Sequence, residues 1–173
     1  MPVATTPAAP RDDVELEERL SRPTPEVIDA LRRAPGDVIV LGAGGKMGPS
    51  LTTMVKRALD DDRDPRNVIA VSRFSSPDAA SRLEHAGVRV VRAELSDAHA
   101  LAMLPDAPNV IYMAGQKFGT RDLPSLTWAV NTLVPAMVAE RYASSRIVAF
   151  STGNVYPLSP VSSTPVCAWC ARS

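Results

Sequence analysis

The 173-residue chain has no stretch approaching the roughly 20 consecutive apolar residues that a membrane-spanning helix needs. Its start, Met1 to Pro10, is rich in Pro, Ala and Thr and lacks the apolar core of a signal peptide. Charge of one sign is not in excess: 19 Lys plus Arg balance 19 Asp plus Glu, so there is no electrostatic footprint for nucleic acid or an anionic membrane, and any cationic site must be local. Cysteine is scarce. Cys167 and Cys170 sit together near the end, and the only histidines, His85 and His99, lie far upstream, so the spacing of a zinc site is missing. A redox pair is expected at a helix start beside a strand, not in a tail. This cysteine usage makes a reducing, cytoplasmic location the expectation. No internal repeat is present. What remains, 45% hydrophobic residues over this length, is enough for the core of a single domain.

What is present is a short apolar run leading into glycines: Val38-Ile39-Val40-Leu41-Gly42-Ala43-Gly44-Gly45-Lys46-Met47-Gly48. The run reads as a buried strand, and Met47, Leu51, Met54, Val55, Ala58 and Leu59 then recur at helical spacing. A strand, a G-x-x-G-x-x-G turn and a helix together form a dinucleotide-binding element. Gly42 allows the tight turn, Gly45 omits the Cβ that would block the phosphates, and Gly48 lets the helix lie close to the strand. Gly44 completes the turn, and the first amides of the helix, from Lys46 and Met47 onward, face the anion. A nucleoside triphosphate P-loop is excluded, because it would need glycine at Val40 and Ser or Thr at Met47.

Along the chain, helices are expected at Asp13 to Leu20 and after Thr24-Pro25, forming an N-terminal extension packed on the sheet. Strands are expected at Val38 to Leu41, Val68 to Val71, Val88 to Val91, Asn109 to Met113 and Ile147 to Ser151. Between them fall helices at about Lys46 to Asp60, Ser76 to Ala86, Ser96 to Leu104 and Pro124 to Tyr142, the last bent by Pro135. The Asp60-Asp61-Asp62 run reads as exposed charge rather than a metal site. Strict alternation implies an α/β fold, a doubly wound parallel sheet of order 3-2-1-4-5. The expected organisation is a disordered start and helical extension over residues 1–36, a nucleotide-binding domain over 37–157, and an irregular tail over 158–173.

A cofactor lying across the carboxyl ends of the strands should touch the residues that follow each one. The second strand ends in Ser72-Arg73 without the acidic residue that holds the ribose 2′-OH of NAD. An arginine there suits a 2′-phosphate, which favours NADP over NAD, and Lys46 offers a further positive charge. Glu94 and Leu95, after the third strand, are placed beside the adenine, with Ser96 or Asp97 as caps of the next helix. Ala114 and Gly115, after the fourth, let the cofactor backbone lie close or simply make a strand-to-loop turn.

The fifth strand runs into Ser151-Thr152-Gly153-Asn154-Val155-Tyr156. With the glycine turn, this segment resembles the extended short-chain dehydrogenase/reductases, the NAD(P)-dependent epimerases and dehydratases, over roughly Asp37 to Pro157. The resemblance implies that Thr152 takes the place of the catalytic Ser or Thr and that Asn131 is the asparagine that helps order the long helix near the site. It also implies hydride transfer at a hydroxyl or carbonyl of a small sugar-like substrate, of the nucleotide-linked kind, and pairing of copies through the Pro124 to Tyr142 helix. The family's Tyr with a Lys four residues later is missing: after Thr152 the one Tyr is Tyr156, and there is no Lys. The expectation is therefore a truncated form with a foreign or out-of-frame end, binding NADP(H) weakly or not at all and turning over negligibly. A non-catalytic NADP(H) sensor or scaffold fits the same residues, as does the product of a damaged reading frame. The fifth strand is expected to be a sticky edge.

Overall fold

The computed structural model describes residues 8–116 and 124–151. Thirteen segments follow one another: α1 (Asp13–Leu20), α2 (Pro25–Arg32), β1 (Val38–Leu41), α3 (Gly48–Asp61), β2 (Val68–Ser72), α4 (Pro77–His85), β3 (Arg89–Arg92), α5 (Ala98–Ala102), β4 (Asn109–Tyr112), α6 (Pro124–Trp128), a π-helical segment (Ala129–Leu133), α7 (Val134–Arg141) and β5 (Arg146–Ala149). The five strands pair in parallel in the order β3-β2-β1-β4-β5, the order that the alternation implied. Alternate residues of each central strand feed opposite faces. Val38 and Val40 pack with Val55, Leu59 and Leu83 under α3 and α4, while Ile39 and Leu41 pack with Leu101, Val134 and Val138 under α5 and α7. That two-sided burial explains why β1 and β2 read as unbroken apolar runs.

Local chemistry sets most element ends. Gly87, at φ +79°, closes α4: its N–H donates to the Glu84 carbonyl and that of Val88 to the Leu83 carbonyl, while Leu83 and Val88 meet in the core. Asp97 caps α5 by accepting from the amides of His99 and Ala100. The helix after the glycines begins at Gly48 rather than Lys46, with Met47 as its cap residue and Pro49 in the first turn, where the missing N–H is tolerated. Pro135, expected to bend the long helix, sits in the first turn of its last α-helical part. The run is α-helical, then π-helical over Ala129–Leu133, then α-helical again, because the proline has no N–H for the carbonyl four residues back and its ring crowds that carbonyl.

The N-terminal helices differ from expectation in what they cover. They lie against α3 rather than directly on the sheet, with Leu31 reaching the core beneath. Polar contacts hold them there. Ser50 donates to Glu17 at 2.7 Å, and Arg57 donates to Glu18 at 2.5 Å and to Ser21 at 2.9 Å. Arg32 reaches both carboxylate oxygens of Asp62, so the end of the acidic run fastens α2 to α3, while Lys56 pairs with Asp60 within α3. Among the described residues β5 is the outermost strand, and all four of its side chains are exposed. No helix among the described residues is long and apolar enough to cross a membrane.

Candidate dinucleotide site

The sheet's carboxyl ends open into a cleft of about 240 Å3 between the turn after β1 and the segments that follow β2, β3 and β4. Its lining unites Gly42, Gly44, Gly45, Ser72, Arg73, Glu94, Leu95, Ala114 and Gly115, which come from four separate strand ends. Lys46, Met47 and Gly48 do not line it; Lys46 and Met47 are exposed beyond the turn.

Each glycine has its own reason. Gly42 adopts φ +93°, and a Cβ on it would stand 2.6 Å from the Ala114 amide nitrogen, so turn and β4 end interlock. A Cβ on Gly44 would meet the Ser72 hydroxyl at 2.6 Å, and one on Gly48 the Ala43 carbonyl oxygen at 2.3 Å. Gly45 is different: the nearest atom to its Cβ would be the Gly42 carbonyl oxygen at 3.4 Å, an ordinary contact. The space over Gly45 is therefore open. Nearby, the amides of Gly44, Lys46 and Met47 have no acceptor among the described residues. Unsatisfied amides at a helix start beside open space suit an anion.

The cleft wall carries charge. Arg73 Nε stands 3.5 Å from Glu94, which also accepts from the Ser96 amide at 3.1 Å. Arg73 is 72% exposed, so this pair is loose and solvent-screened. Phe74, buried beneath Gly44, takes a left-handed backbone at φ 50°. On the opposite wall, Leu126, Val130 and Val134 contribute one helical stripe. Asn131 stands behind that wall and holds its edge: the Gln116 amide donates to Asn131 Oδ1 at 2.8 Å, and Asn131 Nδ2 donates to the Gln116 carbonyl at 2.9 Å. Replacing Asn131 with Leu is expected to raise the hydrogen-exchange rate of the Gln116 amide by about tenfold or more, with a small fall in Tm, because the lost pair is exposed. Unchanged exchange at Gln116 would remove Asn131 from this role.

The two tyrosines among the described residues do not line the cleft and are not candidates for proton transfer. Tyr112 donates to the Val130 carbonyl at 3.3 Å, and burial pushes its pKa up to about 12. Tyr142 donates to the Pro105 carbonyl at 3.0 Å and is likewise pushed up by burial. Thr152, Tyr156, Cys167 and Cys170 lie outside the described residues. Sequence reasoning passed over Phe74, Ser75 and the Leu126-Val130-Val134 stripe. The stripe was available from its i, i+4, i+8 spacing; Phe74 and Ser75 were passed over because the reading stopped at the strand end.

Comparison with known proteins agrees with this geometry. The NAD dependent epimerase/dehydratase family matches residues 38–167. No curated protein matches. In structure the chain is similar to the enzyme WbmF of Bordetella bronchiseptica. The complex of WbmF with NAD+ and UDP gives a TM-score of 0.53 at 24% identity, over 68% of this chain and 36% of that one. Its complex with NAD+ gives 0.56 at 22% identity, over 77% and 41%. At such identities the likeness shows the fold alone, and the chain spans well under half the length of WbmF. By the extent of the family match, over β1 to β5 and beyond, the chain belongs to the NAD dependent epimerase/dehydratase family.

Proposed function

We propose that the cleft binds an NAD(P) dinucleotide, with NADP(H) preferred. The observation that carries this reading is the open volume over Gly45 beside amides without acceptors. The pyrophosphate lies over Gly45 and the start of α3, the adenosine ribose beside Ser72 and Arg73, and the adenine near Glu94 and Leu95. The 2′-phosphate faces Arg73, whose permanently charged fork matches a phosphate dianion. When bound, the nicotinamide gives or takes a hydride. This chain's own residues bind and orient the dinucleotide and, through Ala114 and Gly115, let it approach β4.

For the family's chemistry we infer a hydroxyl or carbonyl of a sugar-like substrate carried on a nucleotide, supported by the complex of WbmF with NAD+ and UDP. Thr152 is proposed to hydrogen-bond the reacting oxygen. Among these 173 residues, no Lys follows Thr152, so this stretch by itself supplies no Tyr-Lys pair to move the proton. Carbonyl reduction by the 173-residue chain is accordingly expected to be negligible. A sensing or scaffold role is the second reading, favoured by the exposed side chains of β5 at one edge of the sheet.

The test is titration of NADPH and NADH by ligand-observed NMR, which reads weak binding. Wild-type protein is expected to prefer NADPH, and Arg73→Ala to lose that preference by about tenfold, the loss of one charge-assisted contact. Equal NADPH affinity in both proteins would remove Arg73 from the site.

A further inference from the structure

Beyond Arg73, the corner between β2 and β3 holds a second guanidinium that the strand-end reading does not use. In the parallel register Ser72 is the partner of Arg92, so both side chains leave the same face of the sheet on neighbouring strands. Arg92 is fixed there twice over. Its Nη1 donates to the Phe74 carbonyl at 3.2 Å, and its guanidinium carbon lies 5.8 Å from the centroid of the Phe74 ring. Phe74 is itself set by burial at 4% exposure and by its left-handed backbone, which turns that carbonyl toward β3. Arg92 has no carboxylate partner among the described residues, unlike Arg32, Arg57 and Arg66. The corner therefore carries two guanidinium groups against the one carboxylate of Glu94.

Position decides which phosphate this surplus serves. The glycine turn follows β1, whereas Arg92 ends β3, two strands away in the sheet order. The Arg92 main chain is about two strand spacings, roughly 10 Å, from the turn after β1; Arg92 does not itself line the cleft, but its guanidinium is held on the ring and carbonyl of Phe74, which does, next to the Ser72-Arg73 segment proposed to carry the ribose. Resting on the dinucleotide reading above, we propose that Arg92 is a second specificity-determining residue, which with Arg73 clamps the 2′-phosphate of NADP(H). Arg73, largely exposed beside Glu94, closes on the ligand; Arg92, held by ring and carbonyl, supplies the fixed side of the clamp.

The experiment is titration of the full chain with NADPH and with NADH, for wild type, Arg92→Gln, Arg92→Lys and Arg73→Gln, with a thermal melt of each. Arg92→Gln is expected to weaken NADPH about tenfold, to leave NADH within twofold, and to keep the wild-type melt, because Arg92 is exposed. Arg92→Lys, which keeps the charge and loses the fork, should fall between. If Arg73→Gln weakens NADPH and Arg92→Gln does not, the dinucleotide reading stands and Arg92 is excluded. Equal loss of NADPH and NADH in Arg92→Gln would overturn the clamp, since it would mean damage to the corner rather than to a phosphate contact. Failure of the wild type to bind either dinucleotide would overturn both readings.

Discussion

Gly45→Ala is expected to fold and melt like the wild type and to lose NADPH binding by tenfold or more. Gly48→Ala, three residues on, is expected to lose the fold. The same added methyl group produces opposite results because of what surrounds it. On Gly45 it meets nothing closer than 3.4 Å, so the protein tolerates it, but it occupies the volume proposed for the pyrophosphate. On Gly48 it would stand 2.3 Å from the Ala43 carbonyl oxygen and 2.5 Å from the carbonyl carbon, both main-chain atoms that cannot swing aside. Either α3 moves off β1 or the turn is rebuilt, and overpacking of this kind costs about 3 kcal/mol or more. Urea melts measure one effect and the NMR titration the other. A Gly45→Ala protein that binds NADPH as tightly as the wild type would sink the dinucleotide assignment, whatever the other residues do.

Asn109→Ala is expected to destabilise the chain by about 3 kcal/mol, a Tm fall of roughly 6 to 12 °C for a chain of this size. Asn109 opens β4 and is only 8% exposed. Its two amide protons are shared among the carbonyls of Ala34, Pro35, Gly36 and Asp37, at 3.0 to 3.3 Å, and its Oδ1 accepts from Arg146 Nε at 2.9 Å. One side chain thus ties the α2–β1 connection to both β4 and β5. Truncation takes one donor from each of these carbonyls, leaving them to Arg66, Arg146 and the Asn109 main-chain amide, and it leaves Arg146 Nε without its acceptor in a half-buried site. Asn109→Asp should be no milder, since it points a carboxylate at four carbonyl oxygens while keeping the contact to Arg146. A loss below about 1 kcal/mol for Asn109→Ala would mean that water replaces the amide at no penalty.

What the sequence disclosed follows a physical divide. Features governed by local rules were legible: the apolar strands, the glycine turn, the cap at Asp97, the Gly87 stop, and through their alternation the order of the sheet. Asn109 was legible as the first residue of a strand but not as a knot, because its carbonyl partners lie more than 70 positions earlier in the chain and Arg146 lies 37 positions later. The same holds for Arg92, whose neighbours Ser72 and Phe74 come from another strand end. Asn131 was placed near the site only through family resemblance, and its reciprocal pair with Gln116 needed the loop after β4 brought against the π-helical segment. The start of α3 was misplaced by two residues, since Lys46 and Met47 belong to the turn that Gly48 ends. The N-terminal helices were found with their bounds nearly right, but nothing in their periodicity says that the surface beneath them is another helix.

The bed of the cleft is made of main chain pressed on main chain: Gly42 under Ala114, Gly48 on Ala43. Such a bed has few variables left in it, since a side chain at Gly42 or Gly48 would strike main chain; Gly45 is the exception, where an added methyl group spares the fold but removes the room for the ligand. Diversification of ligand choice is thereby pushed outward, to Arg73, Arg92, Glu94 and their neighbours, where exchanges leave the scaffold untouched. A lineage built on this plan can change its preferred nucleotide through a few exposed positions while the anchor for the diphosphate stays as it is.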